Sequence, residues 1–313
     1  MFVTTGHEII FLITTLVAFG SWPALRRCSG LPFPQFAFFS IVAQFTLAVA
    51  WLASLGTQTG DGAWLDNERS SQTFVQIGND PLFSGAVILG GFLLGHSDMI
   101  NSWAMQFLPA GVSFAFYGCT SLVGSSILNL CIQGSARLSL LLLAIVLALL
   151  GKVLLAIAIA SARFTAKDNC SDAEIDQGLD AQPLDATSHS HHLEGRLSPL
   201  QLHRSNAMIV CVAAGVLASC WSPLSTFARN SGTPTIAVRN PYVCLLLFAF
   251  GELCALPSLL LGAHFIVREP VFKPLKLRQA AFAVLSGSGV SLGYLCYYLA
   301  STGVPAAVAF GIG

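Results

Sequence analysis

Gly20-Ser21-Trp22-Pro23-Ala24-Leu25 lies near the end of one apolar run, and Ser219-Cys220-Trp221-Ser222-Pro223-Leu224 lies inside another. Proline has no N–H and clashes with the carbonyl four residues back. Pro23 therefore frees the carbonyl of Phe19, and Pro223 that of Ser219. In hydrocarbon such a carbonyl is tolerated only where it faces protein or a watery cavity. A Trp followed by a Pro at the same depth of two spans predicts an internal repeat whose helices break at matching points. Paired interruptions of that kind point to a binding site between two halves of a transporter-like bundle.

The rest of the chain supports a membrane frame. Hydrophobic residues make up 54% of it and charged residues only 10%, against about 25% charged in soluble domains. Mean hydropathy is +0.71. Apolar runs of about 20 residues recur, the length that crosses ~30 Å of hydrocarbon as a helix. They predict spans at 7–25, 34–55, 82–108, 110–133, 138–162, 206–228, 240–266 and 278–300, with a ninth beginning near Val304. The expected fold is an all-α polytopic membrane protein, so the lipid bilayer is its first partner. Net charge is zero, and nothing in the chain calls for nucleic acid. The first span is not expected to be a secretory signal, because its basic residues, Arg26 and Arg27, follow the apolar run instead of preceding it. The nine cysteines show no metal or disulfide spacing, so neither a metal nor any other cofactor is expected.

Cytoplasmic loops collect Lys and Arg. With the N-terminus outside, the inner loops hold Arg26, Arg27, Arg163, Lys167, Arg196, Arg204, Arg268, Lys273, Lys276 and Arg278, and the outer loops only Arg69, Arg137, Arg229 and Arg239. Five spans then precede a polar stretch, and an odd number turns the second half upside down relative to the first. Three segments follow: a first transmembrane repeat (1–163), a polar, disordered cytosolic linker (164–205), and a second, truncated repeat (206–313). The linker is rich in Asp and contains Ser188-His189-Ser190-His191-His192, and its composition cannot bury enough surface to order itself.

Candidate chemistry concentrates on the third span. Gly91, Gly95, Asp98, Ser102 and Gln106 recur every three or four residues and share one helix face, with Asn101 at its edge. Glycines spaced by four let another helix approach. An intramembrane carboxylate is costly and marks a pathway or a partner, so Asp98 is the expected proton-exchanging or solute-binding group. Glu252 sits mid-span in the seventh helix, five residues before Pro257, and is the second candidate. Lys152 is expected to snorkel, Glu8 to sit at an interface, and His96 to be a hydrogen-bonded core residue or a ligand. Trp22 and Trp221, beside the two prolines, could stack a flat solute. No cluster of His and carboxylates faces one surface, so an enzyme is not expected.

Phe19-Gly20-Ser21-Trp22-Pro23-Ala24-Leu25, followed by Leu31-Pro32 and Leu55-Gly56, resembles the opening of the plant ureide permeases. Gly90-Gly91-Phe92-Leu93-Leu94-Gly95-His96-Ser97-Asp98, continuing to Trp103-Ala104-Met105, is similar to that family's third span, and Cys220-Trp221-Ser222-Pro223 to the start of its second half. The resemblance implies the drug/metabolite transporter superfamily, with ten helices in two inverted five-helix repeats. It implies secondary active, proton-coupled uptake of ureides or nucleobases such as allantoin or uracil, at the plasma membrane or an endomembrane. On that reading Trp22, Asp98, Asn101, Trp221 and Glu252 bind the solute and Asp98 couples the proton. The family usually carries Asn where Asp98 stands and, in some members, a Walker-like segment in the central loop. Neither holds here, and measured against that family the chain would lack the last one and a half spans. The alternatives are a sugar or other metabolite carrier of the same superfamily, or a non-transporting membrane remnant.

Overall fold

The computed structural model describes residues 6–54, 80–105, 107–108, 110–133, 146, 150, 204–231, 240–267 and 272–300. Eight α-helices carry the regular structure among them. They are α1 Gly6–Ser29, α2 Phe33–Ser54, α3 Pro81–Ala104, α4 Ala110–Gln133, α5 Arg204–Ala218, α6 Trp221–Ser231, α7 Pro241–Gly262 and α8 Leu277–Ala300. A π-helical turn, Ala263–Val267, extends α7. With α5 and α6 joined in one span, seven segments are long and apolar enough to cross a bilayer. The protein is an integral, multi-pass, all-helical membrane protein. All but two residues of the expected span at 138–162, the segment from Val304 and nearly all of the central linker lie outside the described residues.

Local chemistry sets the helix ends. Asp80 caps α3 by accepting from the Phe83 N–H at 3.1 Å, and Asn240 caps α7 by accepting from the Tyr242 N–H at 2.9 Å. Each is followed by a proline at the first helical position, Pro81 and Pro241, where the missing N–H has no intrahelical partner to lose. Between α1 and α2 the chain turns at Gly30, whose φ of 61° falls in the left-handed region open to glycine. Ile9, Ile13, Leu16 and Val17 on α1 and Ile209 and Val216 on α5 are exposed, as hydrocarbon-facing side chains must be in a bundle solvated by lipid.

The two expected breaks differ. Around Trp221 the chain is interrupted: Ser219 and Cys220 form a turn between α5 and α6, and Pro223 falls in the first turn of α6. The freed Ser219 carbonyl accepts from Ser125 Oγ of α4 at 2.7 Å. Around Trp22 there is no interruption, and α1 runs on through Pro23 to Ser29. Here Ser21 Oγ donates to the Ala18 carbonyl at 2.8 Å, next to the carbonyl that proline leaves open.

Most of the packing among the described helices joins elements far apart in the chain. α1 packs on α8, α2 on α7 and α8, α3 on α5, α6 and α7, and α4 on α5 and α6. The N-terminal helices are thus interleaved with the C-terminal ones. α3 and α7 approach each other closely. A Cβ on Gly91 would run into the Phe248 carbonyl oxygen, and a Cβ on Gly251 into that of Ile88. α8 crosses α2 the same way, with Gly287 over the Ser40 carbonyl. Trp221, Phe248 and Tyr294 fill the space where α6, α7 and α8 meet, with ring centroids 4.6–5.5 Å apart.

Candidate functional site: a cavity with two carboxylates

The face of α3 that carries Gly91, Gly95, Asp98 and Ser102 points into the bundle. Gly91, Gly95 and Ser102 are buried. Asp98 is partly exposed, and its Oδ1 accepts from the hydroxyl of Tyr117, on α4, at 2.7 Å. Gln106 lies outside the described residues. One turn on, the stripe ends at the Arg26 guanidinium, which donates to the Ser102 carbonyl at 3.2 Å and stands 5.1 Å from the ring centre of Phe33.

Asp98 opens onto a cavity of about 40 Å³, measured as the space open to the centre of a water molecule. A buried water needs roughly 10–15 Å³ on that measure, so there is room for about three. Trp22 of α1, Ser40 and Gln44 of α2, Asp98 of α3 and Glu252 of α7 line it, with Phe33 and Phe36 as apolar walls. Glu252 is 4% exposed and Gln44 2%. The Gln44 amide lies beside the Glu252 carboxyl, yet its Nε2 completes no hydrogen bond. Gly95 brings α3 against the Glu252 backbone, which is how two acidic helices come to share one small space. Trp22 stands near Phe36 and Phe114, with ring centroids at 6.1 and 6.4 Å. No Lys, Arg or His is among the lining residues.

Of the five residues expected to bind solute, the fold brings together Trp22, Asp98 and Glu252. Asn101 is fully buried on the neighbouring face of α3, where its Oδ1 accepts from Ser113 Oγ at 2.8 Å. Ser113 Oγ in turn lies 3.1 Å from Cys211 Sγ of α5. Asn101 thus ties α3 to α4 and α5, away from the cavity. Trp221 is buried in the aromatic cluster, 4.8 Å from the Tyr297 ring, and does not line the cavity. The Trp parallel does not extend to the cavity, because the helix is interrupted at Ser219–Cys220 and continuous at Trp22.

His96 is a hydrogen-bonded residue, its Nδ1 2.9 Å from the Phe92 carbonyl and its Nε2 2.8 Å from Ser258 Oγ of α7. Lys152, the side chain of Glu8 and the His cluster of the linker fall outside the described residues. Sequence reasoning missed Tyr117 and Gln44. The four-residue spacing of Ser40 and Gln44, on a helix whose middle is otherwise apolar but for Thr46, was the available signal for the second. Tyr117 meets Asp98 only across two helices, and nothing in the sequence of α4 marks it.

The fold and cavity together define a multi-pass helical membrane protein with a polar, doubly acidic chamber inside its bundle. No protein-family model matches the chain, and no curated protein is significantly similar to it.

Proposed function

We propose that the protein is a secondary active transporter of small polar metabolites, coupling uptake to protons, with ureides or nucleobases as the cargo. The observation that carries this reading is the cavity itself: two carboxylates, an amide and an indole gathered among apolar helices. Retaining one intramembrane carboxylate costs roughly 2.5–3.5 kcal/mol even on lenient scales, and packing alone does not require two in one chamber. The carboxylates supply proton-exchanging groups, and Trp22 supplies a flat wall for a planar solute. Both charged groups of the lining are acidic, which argues against phosphate-bearing cargo, since that needs basic partners.

The packing pattern also favours two inverted halves. Exchanging α1 with α5–α6, α2 with α7 and α3 with α8 maps the contact of α1 with α8 onto that of α3 with α5–α6. It maps α2 with α8 onto α3 with α7, and α2 with α7 onto itself. The glycine crossings obey the same exchange, since Gly91 over Phe248 corresponds to Gly287 over Ser40. A two-fold axis between α2 and α7 would put the cavity where inverted-repeat transporters bind their cargo.

The test is uptake of labelled uracil, allantoin and a free sugar by proteoliposomes holding the full-length protein, with and without an inward proton gradient. Gradient-dependent accumulation of a ureide or nucleobase is the expected result. Accumulation of the sugar alone would change the cargo. No gradient-dependent uptake by correctly inserted protein would remove the transport reading.

A further inference from the structure

We infer that Gln44 reads the cargo: its side-chain N–H donates to a solute carbonyl while the Glu252 carboxyl accepts the adjoining solute N–H. The inference rests on the transport reading above and adds to it a residue and a recognition rule.

Three observations converge on Gln44. Its side chain is almost fully buried, and Nε2 lies beside the Glu252 carboxyl without completing a hydrogen bond to it, so a ligand entering between the two can take up both groups. It lines the cavity together with Glu252, so the donor borders the space where a ligand would sit. Its position also matches that of Glu252. Gln44 follows Ser40 by one helical turn and Glu252 follows Phe248 by one, and each of those first residues is the one crossed by a glycine. At the second positions, Ser291 Oγ of α8 donates to the Gln44 carbonyl at 3.3 Å, and Gly95 of α3 rests against Glu252. Gln44 and Glu252 are thus counterparts on α2 and α7, the pair of helices related to each other by the proposed axis.

A donor beside an acceptor is complementary to a group with a carbonyl next to an N–H, the edge shared by ureides, lactams and nucleobases. A sugar hydroxyl has no such fixed pair, and an anion would face two carboxylates. At about 40 Å³ the chamber has room for no more than a few waters, so the pair engages cargo after the helices part around it.

The test is equilibrium binding of labelled uracil to the purified full-length protein, with unlabelled competitors. The competitors are 2,4-dithiouracil, whose sulfurs accept hydrogen bonds poorly, and 1,3-dimethyluracil, which has no N–H. The wild type should prefer uracil over each by about tenfold or more. Gln44→Leu and Gln44→Met should lose the preference over dithiouracil and keep the preference over dimethyluracil. A folded Gln44→Met protein that still rejects dithiouracil as the wild type does overturns the inference. If both variants fail to fold, the wild-type series decides, and equal competition by uracil and dithiouracil overturns it. A wild type that binds none of the three compounds removes nucleobases as the cargo and overturns the role of Gln44 with them, while the uptake assay decides transport itself.

Discussion

Gly91→Ala should be markedly destabilising, and the reason can be worked from the crossing of α3 and α7. The new methyl lands on the Phe248 carbonyl oxygen, as that of Gly251→Ala lands on the Ile88 carbonyl oxygen. The obstacle in each case is helix backbone, which cannot rotate away as a side chain can. The two helices must separate along the whole crossing. Overpacking of this kind costs about 1–3 kcal/mol, and an unyielding obstacle belongs in the upper half of that range. Alanine recovers up to ~1 kcal/mol over glycine through helix propensity, which leaves a net loss of about 1–2 kcal/mol for each variant. Because separation relieves both clashes at once, the double variant should lose less than the sum of the two. Gly289 is the internal control. A Cβ there meets nothing within 4 Å, so Gly289→Ala should be neutral or slightly stabilising. The assay is the fraction of purified protein that stays monodisperse in mild detergent after heating. If Gly91→Ala melts with the wild type, or Gly289→Ala melts as early as Gly91→Ala, the close crossing is wrong.

Three further outcomes are expected. Asp98→Asn should abolish uphill accumulation while leaving some downhill exchange, and a well-expressed variant that accumulates solute like the wild type would shift the coupling role to Glu252. Tyr117→Phe removes the 2.7 Å hydrogen bond to Asp98, worth about 1–3 kcal/mol to a carboxylate; uptake should fall about fivefold or more at normal expression, and unchanged kinetics would show that the bond does not position Asp98. Asn169-Cys170-Ser171 is a glycosylation sequon in the segment that the charge bias puts in the cytosol, so Asn169 should stay unmodified in a eukaryotic host, and a glycan detected there by mass spectrometry would invert the topology.

Much of this architecture is legible in the sequence because membrane insertion leaves a strong signature. Runs near 20 residues locate the seven described spans, and Asp80-Pro81 and Asn240-Pro241 mark two of their beginnings. The α3 stripe is legible for a second reason: Gly91, Gly95, Asp98 and Ser102 lie on one helix, where spacing alone assigns a common face. Spacing says nothing about what stands opposite that face. Tyr117 reaches Asp98 from α4, and Gln44 reaches the cavity from α2. Asn101 sits one residue from Ser102 and points to a different pair of helices.

The harder distinction concerns polar side chains that look alike in sequence. Thr14, Thr46, Thr120 and Ser288 are scattered through apolar helices, and each hydroxyl donates to the carbonyl four residues back, on its own helix. Such a residue is satisfied locally and can face lipid. The Gln44 amide is two residues from Thr46 and has no such local bond for its Nε2. Hydropathy counts both as polar interruptions of one apolar helix. Their difference is one of satisfaction: the threonine closes its hydrogen bond within α2, whereas the glutamine donor stays open towards the cavity beside Glu252. What singles out Gln44 is its place on the cavity, since Asn101 Nδ2 is equally unpaired on the neighbouring face of α3, and that difference becomes visible only once the helices are assembled.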